Sequence, residues 1–146
     1  WSWGSGGYGR LGHGDDQNQL QPTKIEGLAG QRVVAVAAGL RHSLALTADG
    51  AVWSWGNGDS GELGHGDRQT QLLPKKVEAL AGQRVIAVSA GGYHSLALTS
   101  DGAVWSWGDG GQGRCRLEAS TASPSPPVAP SGAGAMEGRA SWATAT

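Results

Sequence analysis

The sequence contains no phenylalanine, one methionine and one cysteine, Cys115. A single thiol closes no internal disulfide and builds no cysteine-rich zinc site, which fits a reducing compartment, cytoplasmic or nuclear. Charge is scarce as well: 16% of the residues are charged, against about 25% in ordinary globular chains. Eleven Lys+Arg meet 12 Asp+Glu, for a net charge of −1. No polybasic field exists to hold nucleic acid or an anionic membrane, so direct nucleic-acid binding is not expected. Apolar runs such as Val33 to Ala38 are far too short to span a bilayer, and no charged start leads into an apolar signal core. No membrane partner is expected.

Present in their place are 26 glycines and 7 tryptophans in 146 residues. They recur in order. Trp1-Ser-Trp-Gly returns at Trp53 and again at Trp105, and 37 of the 52 positions from 1 to 52 are identical in 53 to 104. A fixed period of this size marks solenoids and propellers, whose units bury their faces on one another. A chain that opens on Trp1, inside the pattern, is expected to be a piece of a longer propeller.

Within a unit, Val33 to Ala38 is β-branched, short and closed by Gly39, and predicts a strand buried on both faces; Val85 to Ala90 is its copy. Ser43 to Thr47 alternates in the strand period, and Asp49-Gly50 supplies a tight turn into Ala51 to Trp55. Ser95 to Trp107 repeats that hairpin. A fourth strand is expected over Pro74 to Leu80, where Pro74, Lys75 and Lys76 suit a sheet edge. The expected fold is all-β: an incomplete β-propeller with two full four-stranded blades and the start of a third. The repeats fill residues 1–113, in copies starting at 1, 53 and 105. Residues 114–146, rich in Ala, Ser, Thr, Pro and Gly, cannot bury enough apolar surface to offset chain entropy and are expected to form a disordered tail.

Leu63-Gly-His-Gly-Asp67, Gly91-Gly-Tyr-His-Ser95, Leu98-Thr-Ser-Asp-Gly102 and Trp105-Ser-Trp-Gly108 resemble the repeat of the regulator of chromosome condensation family. A kelch reading has a similar period, but its paired glycines should recur, and Gly91-Gly92 answers Gly39-Leu40. The resemblance implies a seven-bladed propeller with one repeat per blade. It also implies a choice of roles: nucleotide exchange on a small nuclear GTPase, UV-B sensing in plants, or interaction modules joined to ubiquitin-ligase or lipid-binding domains. Leu40 and Gly92 stand where the plant photoreceptor has its sensing tryptophans. The wedge-like insertion of the exchange factor has no counterpart in the two regular copies.

Several motifs invite chemistry and are better explained by the repeat. Gly4 to Gly9 fits a G-x-G-x-x-G fingerprint, as do Gly56 to Gly61 and Gly108 to Gly113, but no helical pattern follows to meet a pyrophosphate. No cofactor is expected. His13 and Asp15, with His65 and Asp67, offer ligand atoms spread over separate units, so loop hydrogen bonding is expected and a metal is not. His42, Ser43 and Asp49 supply the residue types of a triad, yet His42 and Ser43 face opposite sides of a strand and the set recurs at His94, Ser95 and Asp101. Non-enzymatic, buried and hydrogen-bonded histidines are the expectation at both places. Trp3, Trp55 and Trp107 are expected to pack between blades, and Gly39 and Gly91 to serve the backbone.

Recognition should sit where the copies differ, because identical positions carry the scaffold. Tyr8 stands against Ser60, Arg10 against Glu62, Asp16 against Arg68 and Arg41 against Tyr93. Tyr8, Arg10, Arg41, Glu62, Arg68 and Tyr93 are therefore the candidate partner-binding residues of a protein-interaction module, whose partner is a small GTPase or a ubiquitin-ligase assembly. Nucleotide exchange on the GTPase is the alternative activity, and UV-B sensing the third.

Overall fold

The computed structural model describes residues 1–110 and the backbone of residues 118–121. The strands are β1 (Ser2–Gly4), β2 (Gln19–Thr23), β3 (Val33–Ala38), β4 (His42–Thr47), β5 (Val52–Gly56), β6 (Gln71–Lys76), β7 (Val85–Ala90), β8 (His94–Thr99), β9 (Ala103–Gly108) and β10 (Glu118–Thr121). They form three antiparallel sheets: β1-β2, β3-β4-β5-β6 and β7-β8-β9-β10. The fold is an all-β incomplete propeller.

Sequence copy and blade are out of phase. Trp-Ser-Trp-Gly lies on β5 and β9, each third in its four-stranded sheet, and on β1, the first of the two-stranded sheet, so one copy closes a blade and opens the next. The two four-stranded sheets are the two blades, and the partial third unit is the closing half of a blade, β1-β2, at the beginning of the chain. β10, within the stretch expected to be disordered, takes the fourth-strand position beside β9, with Ala119 opposite Trp105. Backbone groups at a free sheet edge accept such a strand whatever its side chains. The rest of the expected tail lies outside the described residues.

Hairpin β4-β5 shows how local chemistry fixes register. Gly50 sits at φ +85°, where a side chain would be strained, and its N–H donates to the Thr47 carbonyl at 2.9 Å. The Asp49 carboxylate accepts from the Thr47 hydroxyl and from the Ala51 N–H at 3.3 Å, and these two bonds hold its pKa below the usual carboxylate range. Trp55 then falls opposite Ser43, and Trp53 opposite Ala45. Thr99, Asp101 and Ala103 repeat the arrangement.

Leu44, Leu46, Val52, Val77, Leu80, Val85, Ala97 and Trp107 form the core, with Ala35, Ala37, Val88, Ala90 and Trp105 packed around it. Two expectations need correction. β3 is not buried on both faces: Ala35 and Ala37 meet the core, whereas Val34 and Val36 are exposed on the side away from it. The fourth strand runs over Gln71–Lys76, and Glu78–Leu80 winds into a 3-10 turn that turns Leu80 into the core. Apolar Val77 and Leu80 read as strand in sequence, but only Val77 adds a ladder-like bond, donating to the Val52 carbonyl at 2.8 Å.

Candidate functional site

The identical residues of the copies meet at the seam between blades. Trp55 packs on Gly12: a β-carbon on that glycine would lie 2.8 Å from the indole nitrogen, and Gly64 bears the same relation to Trp107. The Arg10 carbonyl accepts from Trp55 Nε1 at 2.9 Å and from the Ser43 hydroxyl at 2.8 Å. One copy later, Ser95 donates to the Glu62 carbonyl at 2.8 Å. The Leu-Gly-His-Gly connector is therefore the seat on which the next blade's tryptophan rests.

His42 reaches across the seam rather than along its own strand. Its Nε2 lies 2.9 Å from Ser95 Oγ, and because that hydroxyl donates to Glu62, Nε2 must carry the proton and donate. A histidine that donates to a serine does not activate it, so the pair locks blades instead of making a nucleophile. Burial, with the nearby charge of His94, lowers the His42 pKa to about 4 and keeps the ring neutral. The same relay recurs within a blade: Ser54 donates to the Leu63 carbonyl at 2.7 Å and meets His65 Nε2 at 2.9 Å, as Ser2 does with Leu11 and His13. Asp15 and Asp67 each accept the N–H two residues on, from Gln17 and Gln69. Among the described residues no group of His, Cys, Asp and Glu could hold a metal. The first Gly-rich connector leads into a single 3-10 turn, Gly7–Gly9, and no helix.

Not every expected scaffold residue is buried. Trp55 is 3% exposed and Trp107 1%, but Trp3 is 59% exposed, since among the described residues no preceding sheet covers its strand. His42 is buried and His94 is exposed for a related reason: His42 meets Ser95 of the next sheet, and among the described residues no such partner faces His94. Gly39 is required by space, as a β-carbon there would stand 2.4 Å from the His42 ring and 2.6 Å from the Gly91 carbonyl. Gly91 has the same relation to His94, at 2.1 Å.

The copy-variable residues divide. Tyr8, Arg10, Arg41 and Tyr93 come together on one edge across the seam. The Arg41 guanidinium lies 4.8 Å from the Tyr8 ring centre and 5.9 Å from that of Tyr93, and Arg10 lies 5.8 Å from Tyr8. Arg10 is fixed by donating from Nε to the Gly7 carbonyl and from Nη1 to the Leu40 carbonyl, both at 2.9 Å. Glu62, expected at the surface, is instead fully buried: Oε2 accepts the Ser60 N–H at 2.8 Å, while Oε1 has no hydrogen-bond partner. Burial raises its pKa against the opposing pull of the backbone bonds and of Arg41. Its connector folds inward, a feature that Glu opposite Arg in the alignment does not reveal. Arg68 is exposed and lines a separate small cavity with Asp59, Ser60 and Asp109. Sequence reasoning missed the trans-blade pairs; the signal was the constant spacing from Gly12 to Trp55 and from Gly64 to Trp107.

Repeated four-stranded sheets, locked by a tryptophan of one on a glycine of the preceding, define a β-propeller protein. The repeat itself gives the family. The model of the regulator of chromosome condensation (RCC1) repeat matches residues 1–46 and 49–98, and a second model of that repeat matches 33–62 and 85–114; the chain belongs to this family. It is 49% identical over 112 residues to the human E3 ubiquitin-protein ligase HERC2, covering 75% of this chain and 2% of the ligase. To the ultraviolet-B receptor UVR8 of Arabidopsis thaliana it is 43% identical over 117 residues, 80% of this chain and 27% of the receptor. Among solved structures, Prp20p from Saccharomyces cerevisiae, described with its binding properties to Gsp1p and histones, superposes with a TM-score of 0.65 at 32% identity, over 73% of this chain and 27% of Prp20p. The chain thus spans a minor part of each relative.

Proposed function

We propose that this chain is a protein-binding segment of an RCC1-repeat propeller, acting without covalent chemistry of its own. One observation carries the reading: the repeated Trp, Gly, His and Ser are spent on the seams, while four of the residues that differ between copies, Tyr8, Arg10, Arg41 and Tyr93, gather on one edge. A surface free of scaffold duty is where binding specificity can be written.

Of the finer readings, docking of a small GTPase for nucleotide exchange has the better support. It rests on the likeness to Prp20p, a protein with binding properties towards Gsp1p. Service as a docking module in a ubiquitin-ligase assembly is the second reading, favoured by the 49% identity to HERC2. UV-B sensing is third, since Leu40 and Gly92 leave the expected chromophore positions without an indole. The deciding experiment follows release of a fluorescent nucleotide from a panel of small GTPases, beside retention of GTPases and ligase subunits on the immobilised chain. Many-fold acceleration at catalytic amounts of protein supports exchange. Retention without acceleration removes exchange and leaves docking, and no retention at all overturns both.

A further inference from the structure

We propose that the edge formed by Tyr8, Arg10, Arg41 and Tyr93 grips an acidic segment of a partner protein, with a carboxylate seated on Arg41 between the two tyrosine rings. The proposal rests on the protein-binding reading above and adds the chemistry of the partner.

Three independent features converge on it. Arg41 has two aromatic rings near its guanidinium, but its side chain makes no hydrogen bond or ion pair among the described residues, so its guanidinium donors remain available for a carboxylate. Arg10 spends Nε and Nη1 on carbonyls, which fixes its position without neutralising its charge. The carboxyl group that feels Arg41, Glu62, is buried beneath the surface and makes no hydrogen bond to it: Oε2 accepts from the Ser60 N–H and Oε1 has no partner, so the guanidinium donors stay open.

The second feature is backbone strain. Tyr8 sits at φ 61° and ψ 12°, the only non-glycine among the described residues with positive φ. A bulky residue holds this conformation at a cost, and such strain collects at binding sites. Ser60, its counterpart in the next copy, does not adopt it. The third is exposure: both tyrosines are 42% exposed, and Leu40, which precedes Arg41 in the chain and whose carbonyl holds Arg10, is 54% exposed, an apolar surface for a residue flanking the carboxylate. Nucleic acid is a poorer fit, since its affinity grows with the number of cations set against phosphates, and this edge has two.

Fluorescence anisotropy of the full chain tests the proposal with three labelled probes: a peptide alternating Glu and Leu, its twin alternating Gln and Leu, and a short single-stranded DNA. The Glu peptide should bind about tenfold more tightly than the Gln twin, with affinity falling as salt rises. Arg41→Gln should weaken it by about tenfold or more, Tyr93→Ser by less, and Arg41→Lys should restore part of the loss. Denaturation midpoints should be unchanged in all three variants. Equal binding of the two peptides, indifference to Arg41→Gln, or tighter binding of the DNA would overturn the proposal. Partner proteins retained equally by wild type and Arg41→Gln would also sink this edge while leaving the docking reading intact; an absence of any retained partner would instead remove the reading on which it rests.

Discussion

Trp55 lies so close over Gly12 that a β-carbon there would be 2.8 Å from the indole nitrogen, and the same nitrogen donates to the Arg10 carbonyl at 2.9 Å. Packing and hydrogen bonding therefore use one side chain at one seam. Truncation of Trp55 to Ala should cost about 3 to 5 kcal/mol, the range for a large buried aromatic. Trp3→Ala, the equivalent change one copy earlier, should stay within about 0.5 kcal/mol, as for an exposed site. Urea denaturation of both variants checks this; equal losses would show that burial at the seam is not what holds Trp55.

Gly39 and Gly92 form a second contrast. Added to Gly39, a methyl group meets the buried His42 ring and the Gly91 carbonyl, whereas at Gly92 nothing lies within 4 Å and φ is not positive. Gly39→Ala should destabilise by about 1 to 3 kcal/mol through overpacking, and Gly92→Ala should be near neutral. Thermal melts of the two variants side by side give the answer.

Protonation should weaken the seam. Burial, then the charge of His94, puts His42 at about 4 in the fold against 6.5 for an ordinary histidine. Between those values the unfolded chain binds the proton more readily, so the His42 contribution is complete above about pH 6.5 and is lost as the pH falls toward 4. Linkage makes the loss about 3 kcal/mol. His65, lowered mainly by burial, adds to the same slope. A plot of unfolding free energy against pH should fall across that window in wild type and be flatter in His42→Gln.

Glu62 works with the opposite sign. Burial raises its folded pKa, so the ionised form costs stability above the unfolded value and acidification relieves that cost through this group. Glu62→Gln keeps an acceptor for the Ser60 N–H and removes the buried charge. The variant should be more stable than wild type at pH 8 by about 1 kcal/mol, with the gap closing as wild-type Glu62 takes up its proton. A gap that persists at low pH would show that size or hydrogen bonding, not charge, sets the effect.

Period, strand pattern and turn chemistry made the propeller legible in sequence, because each depends on residues close in the chain. The Asp49-Gly50 turn sets its own register, and the 52-residue recurrence states that units must stack. Tyr8, Arg10, Arg41 and Tyr93, picked in sequence only as positions where the copies disagree, lie together on one edge, whereas Glu62 and Arg68 do not join them.

What the chain could not announce is anything decided by a neighbouring blade. His42 and His94 sit in near-identical local sequence, yet one is buried against Ser95 and the other is exposed. Trp3 and Trp55 differ in the same way. Glu62 alternates with Arg10 in the alignment, but its connector folds the carboxylate inward, while Arg10 is held at the edge by the Gly7 and Leu40 carbonyls. The sequence determined the unit and its repetition through short-range sterics and periodicity. Tertiary structure alone decided which copies of each residue are covered, because burial and hydrogen bonding at a seam depend on a second sheet across it.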